Sequence, residues 1–384
     1  MVSHESNAGI QIPPDLDTPA LVVDAERLDA NISRMAGRAA AAGIALWPHA
    51  KTHKCLPIAQ RQLEGGAAGL TVATMDEAEQ FAEGGCHDLF IAYPVWAGHD
   101  RAARLHDLHD RVCLRVGVDN LESAEVLSAA LRGVPRALDV LLEIDSGGHR
   151  TGVQPAAVRE LAEGCLRLGL NVVGAFTHPG HAYAGLGSVA RAAEDEQRVL
   201  QDAGEWLEPL LGFPPALSGG STPTTSAVLA GAMTEVRPGT YVFGDRQQMN
   251  LSNLPEQDVA LVVASRVVST PRPGEAVLDA GSKTLSSDRP KWLEGHGWLP
   301  DAPEARIAAL SEEHAVVTGL TRPLHVGDLV AVIPNHVCTS VNLSSQLLVV
   351  SDGTVVDAWP VRSRVARPYV GHPSGHAQIA PLSR

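Results

Sequence analysis

The stretch IALWPHAKTHK, Ile44 to Lys54, runs from four apolar residues into a polar cluster with two lysines and two histidines. Ile44 to Trp47 reads as a short buried strand, and PHAKTHK, Pro48 to Lys54, as the loop at its carboxyl end. What lies outward from this strand decides what the loop can do. Between about residues 26 and 250, short apolar runs alternate with amphipathic stretches rich in Ala, Leu, Glu and Arg. The further runs are Gly69 to Val72, Asp88 to Ala92, Val112 to Val116, Val140 to Ile144, Val172 to Phe176, Pro215 to Ser218 and Glu235 to Val236. Helical stretches fall between them, among them Leu28 to Ala42, Ala156 to Leu168 and Val189 to Leu207. Eight strands separated by helices predict an α/β fold, a (β/α)8 barrel, with a doubly wound open sheet as the structural alternative.

Past Pro255 the texture changes to β-branched runs closed by turns: Val259 to Ser269, Glu275 to Asp279, Ala315 to Gly319, Leu329 to Ile333, Ser345 to Val350 and Thr354 to Pro360. The early segment TPALVV, Thr18 to Val23, also reads as a strand that could join this later sheet. A chain of 384 residues exceeds what one core usually organises. The expected division is a barrel over residues 26–255 and a C-terminal mostly-β domain formed by 1–25 and 256–384.

The net charge of −14 argues against a nucleic acid or an anionic membrane as partner. No run of about 18 apolar residues predicts a spanning helix, and the first 17 residues lack the pattern of a secretory signal. The expectation is a cytoplasmic protein acting on a small molecule. Five widely spaced cysteines without a CxxC pair fit free thiols. Of 30 basic residues only four are lysines, Lys51, Lys54, Lys283 and Lys291, which draws attention to an amine where arginine is otherwise the rule.

Barrel enzymes place their chemistry at the carboxyl ends of strands. Lys51 lies there, and a lysine desolvated at that point has a lowered pKa and can form imines; a solvated polar loop is the plain alternative. SGGSTPTT, Ser218 to Thr225, follows the seventh strand, where glycines, hydroxyls and the next helix's N-terminus could cradle a phosphate, or simply make a turn. EIDSGGHRTG, Glu143 to Gly152, sets Arg150 at the barrel mouth beside THPGHAY, Thr177 to Tyr183. RPGTYVFGD, Arg237 to Asp245, could complete the phosphate site through its glycines and Tyr241. In PNHVCTSVN, Pro334 to Asn342, His336 and Cys338 stand two apart. On an extended strand they would face one side and could share a metal, for which thiolate plus imidazole favours Zn2+. Two protein ligands would leave positions open for substrate and water.

With these pieces laid out, the chain resembles the D-threonine aldolase and D-serine dehydratase family, fold-type III pyridoxal 5′-phosphate (PLP) enzymes with an alanine-racemase-like N-terminal domain. The resemblance runs from TPALVVD (Thr18 to Asp24) to VVDAWPV (Val355 to Val361). Its most specific pieces are PHAKTHK, HRTG, SGGSTPT, EVRPGTYVFGD, DAGSKTLSSD (Asp279 to Asp288), LSEEH (Leu310 to His314) and PNHVC.

Carried onto this sequence, the resemblance implies that Lys51 is the Schiff-base lysine, that Arg150 lies close to the cofactor ring and that Tyr183 lies near its nitrogen. Gly219, Gly220, Ser221, Thr222 and Tyr241 match phosphate-holding positions. His336 and Cys338 match a divalent metal pair, with Zn2+ expected first and Mn2+ second. The implied substrate is a D-β-hydroxy amino acid and the implied assembly a homodimer. Members with His-x-Cys tend to dehydrate, which implies a 2-keto acid and ammonia as products. The alternative is aldol cleavage to glycine and an aldehyde, with His181 or His314 as a base. A racemase and a non-catalytic PLP carrier are the remaining readings.

Overall fold

The computed structural model describes residues 9–98 and 100–364. The first strand, β1 (Ala20–Asp24), ends on an aspartate whose carboxylate accepts the Arg27 N–H at 2.9 Å. This caps α1 (Ala25–Ala41), whose apolar residues Leu28, Ile32, Met35 and Ala39 recur at helical spacing and are all buried. From there the chain winds a parallel sheet: β2 (Ala45–Leu46), α2 (Leu56–Glu64), β3 (Leu70–Val72), α3 (Met75–Glu83), β4 (Asp88–Pro94), α4 (Asp100–Arg111), β5 (Cys113–Val118) and α5 (Leu121–Ala130). It continues through β6 (Asp139–Glu143), α6 (Val158–Arg167), β7 (Asn171–Phe176), α7 (Val189–Leu211), β8 (Ala216–Gly219), α8 (Thr225–Val228), β9 (Glu235–Val236) and α9 (Arg246–Leu251).

The eight strands β2 to β9 pair in parallel in the order β2-β9-β8-β7-β6-β5-β4-β3. The Ala68 N–H reaches the Leu46 carbonyl at 2.8 Å and the Thr71 N–H the Pro48 carbonyl at 2.9 Å, closing the ends into a barrel. The interior is filled, not hollow. Trp47, Phe90, Leu141 and Phe176 form a buried cluster, with Phe90 and Phe176 edge to face at 5.0 Å. Arg115 pairs with Glu235 at 2.6 Å and lies over the Trp47 ring. That plug leaves the carboxyl ends of the strands as the open face of the barrel.

The remaining chain forms β10 (Leu261–Ser269), β11 (Glu275–Leu278), α10 (Ser282–Leu285), β12 (Arg306–Leu310), β13 (Ala315–Thr318), β14 (Leu329–Val332), α11 (Val337–Leu343), β15 (Gln346–Ser351) and β16 (Thr354–Pro360). The second sheet runs β12-β13-β11-β10-β1-β15-β16, with β14 alongside β10. As the sequence predicts, β1 joins it, antiparallel to β10 and parallel to β15. Missing from the sequence reading are β12 and the short helices α10 and α11.

The two sheets are stitched at the barrel mouth. Lys54 donates from Nζ to Asn342 Oδ1 at 2.7 Å and to the Ser363 carbonyl at 3.1 Å, and it pairs with Glu77. Asn31 Nδ2 donates to the Val242 and Asp258 carbonyls. The Lys54–Asn342 contact ties α11 to the loop that carries Lys51. No helix among the described residues is long and apolar enough to cross a membrane.

Candidate active site

Lys51 sits in a single turn of 3-10 helix, Ala50–Thr52, directly after β2. Burial lowers its amine pKa, Arg150 and Arg237 add to that, and Cys338 and Glu77 work against it. Two of the other lysines are spent: Lys54 on the contacts above, and Lys283 on Glu312 and Glu313 at 2.8 and 2.7 Å. Among the described residues no carboxylate forms an ion pair with Lys51, so its buried nitrogen is available for a covalent carbonyl partner.

Three further strand ends converge on it. After β6, Arg150 and Thr151 share a cavity of about 280 Å3 with Glu143, Asp145, His178, Gly180 and Tyr183. Glu143 accepts the Thr151 hydroxyl at 2.7 Å, while its second oxygen is buried without a partner. After β7, burial holds His178 well below the usual imidazole range, reinforced by the charges of Lys51, Arg150 and Arg237. His49, next to Lys51, is lowered likewise, and its Nδ1 is buried without a partner. Arg237, after β9, donates to Ser218 Oγ and to the Thr177 carbonyl, both at 2.6 Å, with its guanidinium over Phe176. Burial lowers even this arginine, to about 10. The floor of the mouth therefore sets the side chains of Lys51, Arg150 and Arg237 beside the carboxylates of Glu143 and Asp145, and it contains several buried polar atoms without partners. Such a site suits a flat anionic ligand with an aldehyde, which is what PLP offers.

The glycine-rich loop is built differently from the sequence expectation. At Gly219 a Cβ would lie 2.6 Å from Met233 Cε, the movable end of that side chain, whereas Gly220 has φ +72°, which favours glycine outright. The Gly220 N–H, however, is donated backwards to Glu196 Oε2 at 2.8 Å, and the Ser221 N–H to Thr224 Oγ1 at 3.0 Å. The following helix, α8, has four residues, too few for a useful macrodipole. What the loop presents forward is Thr222, whose Oγ1 accepts the Gly239 N–H at 3.2 Å. A phosphate would take the place of that internal contact, between Thr222 and the backbone of residues 239–241. The Tyr241 hydroxyl is directed elsewhere: it accepts a hydrogen bond from Gln62 Nε2 at 3.0 Å, in a buried chain that continues to His53. Tyr241 can contribute its backbone there, while its phenol bolts the turn to α2.

His336 and Cys338 are brought together, by a geometry unlike the expected strand. His336 is the extended N-cap of α11, φ −137° and ψ 102°, and Cys338 lies in the first turn. The reason is Asp245, which accepts the Val337 N–H at 3.0 Å and the Gln248 N–H at 2.8 Å, so one buried carboxylate starts α11 while capping α9. Cys338 Sγ is 3.3 Å from Thr52 Oγ1, beside Lys51. Burial opposes charge on His336, but Cys338 and the carboxylate of Asp288 outweigh it and raise the imidazole to about 11. Cys338 is correspondingly lowered, against burial, by His336, Thr52 and Lys51. A thiol primed to ionise beside an imidazole is a fitting donor pair for a soft divalent cation. Among the described residues no group of three or more His, Cys, Asp or Glu side chains converges as a cage, so such a cation would be left with open positions.

Two expected residues stand at the margin. His181 lies 3.6 Å from Asp195, too far for a hydrogen bond, and both its ring nitrogens are buried without partners. His314 is exposed in the turn between β12 and β13, against Gly281. Tyr183 is held at the rim, where Trp292 Nε1 donates to its carbonyl at 2.9 Å. Sequence reasoning missed His178, Arg237, Thr52, Glu196 and Asp288. His178 and Arg237 stood inside quoted motifs at strand ends, which was the available signal; nothing local marked Glu196.

Residues 23–247 match the family described as alanine racemase, N-terminal domain, and residues 260–350 the putative serine dehydratase domain. The class is that of alanine-racemase-like barrels carrying a second, β-rich domain. Within it, the chain belongs to the D-threonine aldolase and D-serine dehydratase family. It is 34% identical to D-threo-3-hydroxyaspartate dehydratase of Delftia sp. (strain HT23) over 88% of this chain and 96% of that protein. It is 31% identical to D-threonine aldolase of Arthrobacter sp. over 94% and 99%. A solved cysteine-to-alanine mutant of D-threo-3-hydroxyaspartate dehydratase, in the metal-free form, superposes with a TM-score of 0.82 at 31% identity, covering 90% of this chain and 98% of that one.

Proposed function

We propose that the chain is a PLP- and divalent-metal-dependent dehydratase of D-β-hydroxy amino acids, releasing a 2-keto acid and ammonia. Membership of the family makes it a lyase of such substrates. The dehydratase direction is supported by one observation above the rest: a thiol, Cys338, paired with His336 and linked through Thr52 to the Lys51 turn. In this reading residues 26–255 hold the cofactor, and 1–25 with 256–384 supply the metal pair; the parts before 9 and beyond 364 lie outside the described residues. PLP would be held by Lys51, by Thr222 with the backbone of 239–241, and by Arg150, His178 and Arg237 around its ring. Bound there, it supplies an electron sink for charge developing at Cα.

The chain's own groups then divide the work. Lys51, whose amine burial pushes toward the neutral form, removes the Cα proton, which leaves with the β-hydroxyl as water. His178 and His49, pushed well below the usual imidazole range by burial, are weak bases and leave that proton to Lys51. His336 and Cys338 would hold Zn2+ or Mn2+, a Lewis acid against the β-hydroxyl. Arg237, held by Ser218 and the Thr177 carbonyl, would keep a positive charge at the floor for an anionic cofactor. A second reading, aldol cleavage, is favoured by His181, whose ring nitrogens make no hydrogen bond and could take a hydroxyl proton. Product analysis on D-serine, D-threonine and both D-3-hydroxyaspartates separates the two. Keto acid plus ammonia is expected, and glycine plus aldehyde as the main products would overturn dehydration.

A further inference from the structure

The segment after α10 crosses the barrel mouth as a strap held at both ends. Its entry is Ser286, with φ +64° and ψ 155°, a conformation that belongs almost wholly to glycine. The surroundings force it. Ser340 Oγ of α11 donates to the Leu285 carbonyl at 3.0 Å, the Ser286 N–H to the Ser282 carbonyl at 3.0 Å, and the Asp288 N–H to Ser286 Oγ at 3.1 Å. At the far end Trp292 is fixed to the Tyr183 carbonyl. The turn delivers the Asp288 carboxylate to His336, with Oδ2 at 2.5 Å from Nδ1. An imidazole has two nitrogens, and this contact occupies one of them, so the other, Nε2, is left for the Cys338 side.

We infer that Asp288 is the positioning residue of the metal pair: by accepting the Nδ1 proton it fixes His336 in the tautomer and rotation that present the Nε2 lone pair to a cation shared with Cys338. The inference rests on the metal reading above and deepens it. A ligand histidine whose ring can rotate or tautomerise offers its lone pair only part of the time, and outer partners of this kind are typically worth about 10- to 100-fold in metal affinity. Asp288 reaches His336 across 48 residues of sequence, and no other function of the strained Ser286 turn is evident in its contacts.

The test is Zn2+ affinity of the full-length protein, measured by competition with a chromophoric chelator. Asp288→Ala is expected to weaken binding about 10- to 100-fold. Asp288→Asn should recover most of that loss, because its amide oxygen still accepts the Nδ1 proton. The unfolding midpoints of both variants should match wild type, since the Asp288 side chain is 45% exposed. Wild-type affinity in Asp288→Ala would overturn the inference while leaving the metal site standing, and so would an Asn variant as weak as Ala. A wild-type protein that binds no Zn2+ would remove the metal reading and this inference together.

Discussion

The two walls of the Lys51 cleft are built by opposite means. The barrel wall takes its groups from consecutive strand ends, at residues 49–51, 143–151, 177–183, 218–225 and 237–241, and each is placed by the parallel register of its neighbour. Its key side chains are sunk: Glu143 is 2% exposed, Arg237 7% and Glu196 0%. The facing wall takes His336 and Cys338 from a helix start, Asp288 from a strained turn and Trp292 from the strap, and no sheet register holds them. They are held by single hydrogen bonds from Asp245, Ser340 and Asp288. Topology therefore sets the cofactor wall, and removable contacts set the metal wall. Substitutions should separate a wall that fails as a unit from one that fails a contact at a time.

The largest effect should come from the barrel wall. Lys51→Ala removes the buried amine at the mouth, and turnover should fall by 1000-fold or more, roughly the scale expected when covalent attachment and proton transfer are lost together. The visible absorption of the Lys51-linked cofactor should vanish with it. A variant that keeps both the absorption and the activity would break the assignment of this wall. On the other wall, Cys338→Ala should cost roughly 100-fold or more in turnover, since several kcal/mol of Lewis-acid stabilisation are lost, yet leave the cofactor absorption unchanged. Chelation should reproduce it. Loss of the absorption in Cys338→Ala would show that the walls are not independent.

Much of the barrel wall was legible because a period of short strands and amphipathic helices forces its loops to one end, whatever their chemistry. The motifs around Lys51, Arg150, His178 and Thr222 could be read locally, and β1 could be assigned to the second sheet because it is an apolar strand lying ahead of the barrel. The metal wall was legible only as residue types. HxC suggested a shared ligand, but the extended strand was wrong, because the Asp245 carboxylate that starts α11 lies 92 positions away in sequence. Asp288 stood at the end of the quoted DAGSKTLSSD motif, but its role was hidden for the same reason, since its partner His336 lies 48 positions away. The phosphate loop misled in another way: its glycines were read as opening backbone donors to a ligand, whereas Gly220 and Ser221 spend theirs on Glu196 and Thr224.

Glu196 sharpens the contrast. It is buried behind the loop with one oxygen unpartnered, and burial raises its carboxyl from 4.5 to about 7. In this case the folded state holds the proton more tightly than the unfolded chain. The stability it contributes is complete below about pH 4.5 and is lost as the pH rises through 7. Glu196→Gln, which can still accept the Gly220 N–H, should escape that loss, gaining up to about 3 kcal/mol over wild type at pH 8 and little at pH 4 to 5. Thermal midpoints measured at both pH values decide it. A gain independent of pH would mean that Glu196 does not titrate in this range.

The smallest effect separates the phenol of Tyr241 from the cofactor. Its hydroxyl accepts from Gln62, which is bonded to His53, and burial, against the contacts with Gln62 and Cys55, lowers that histidine to about 4, so it stays neutral. Tyr241→Phe leaves the Gln62 N–H without its acceptor in a buried site, at a cost of about 1 kcal/mol. If the phenol held the phosphate, the same substitution would weaken PLP binding instead. Titration of the apoprotein with PLP, followed by absorbance, should give the wild-type affinity for Tyr241→Phe alongside a slightly lower thermal midpoint. The reverse pattern, a normal midpoint with weakened PLP binding, would move Tyr241 from the scaffold of the barrel wall to its ligand-binding face.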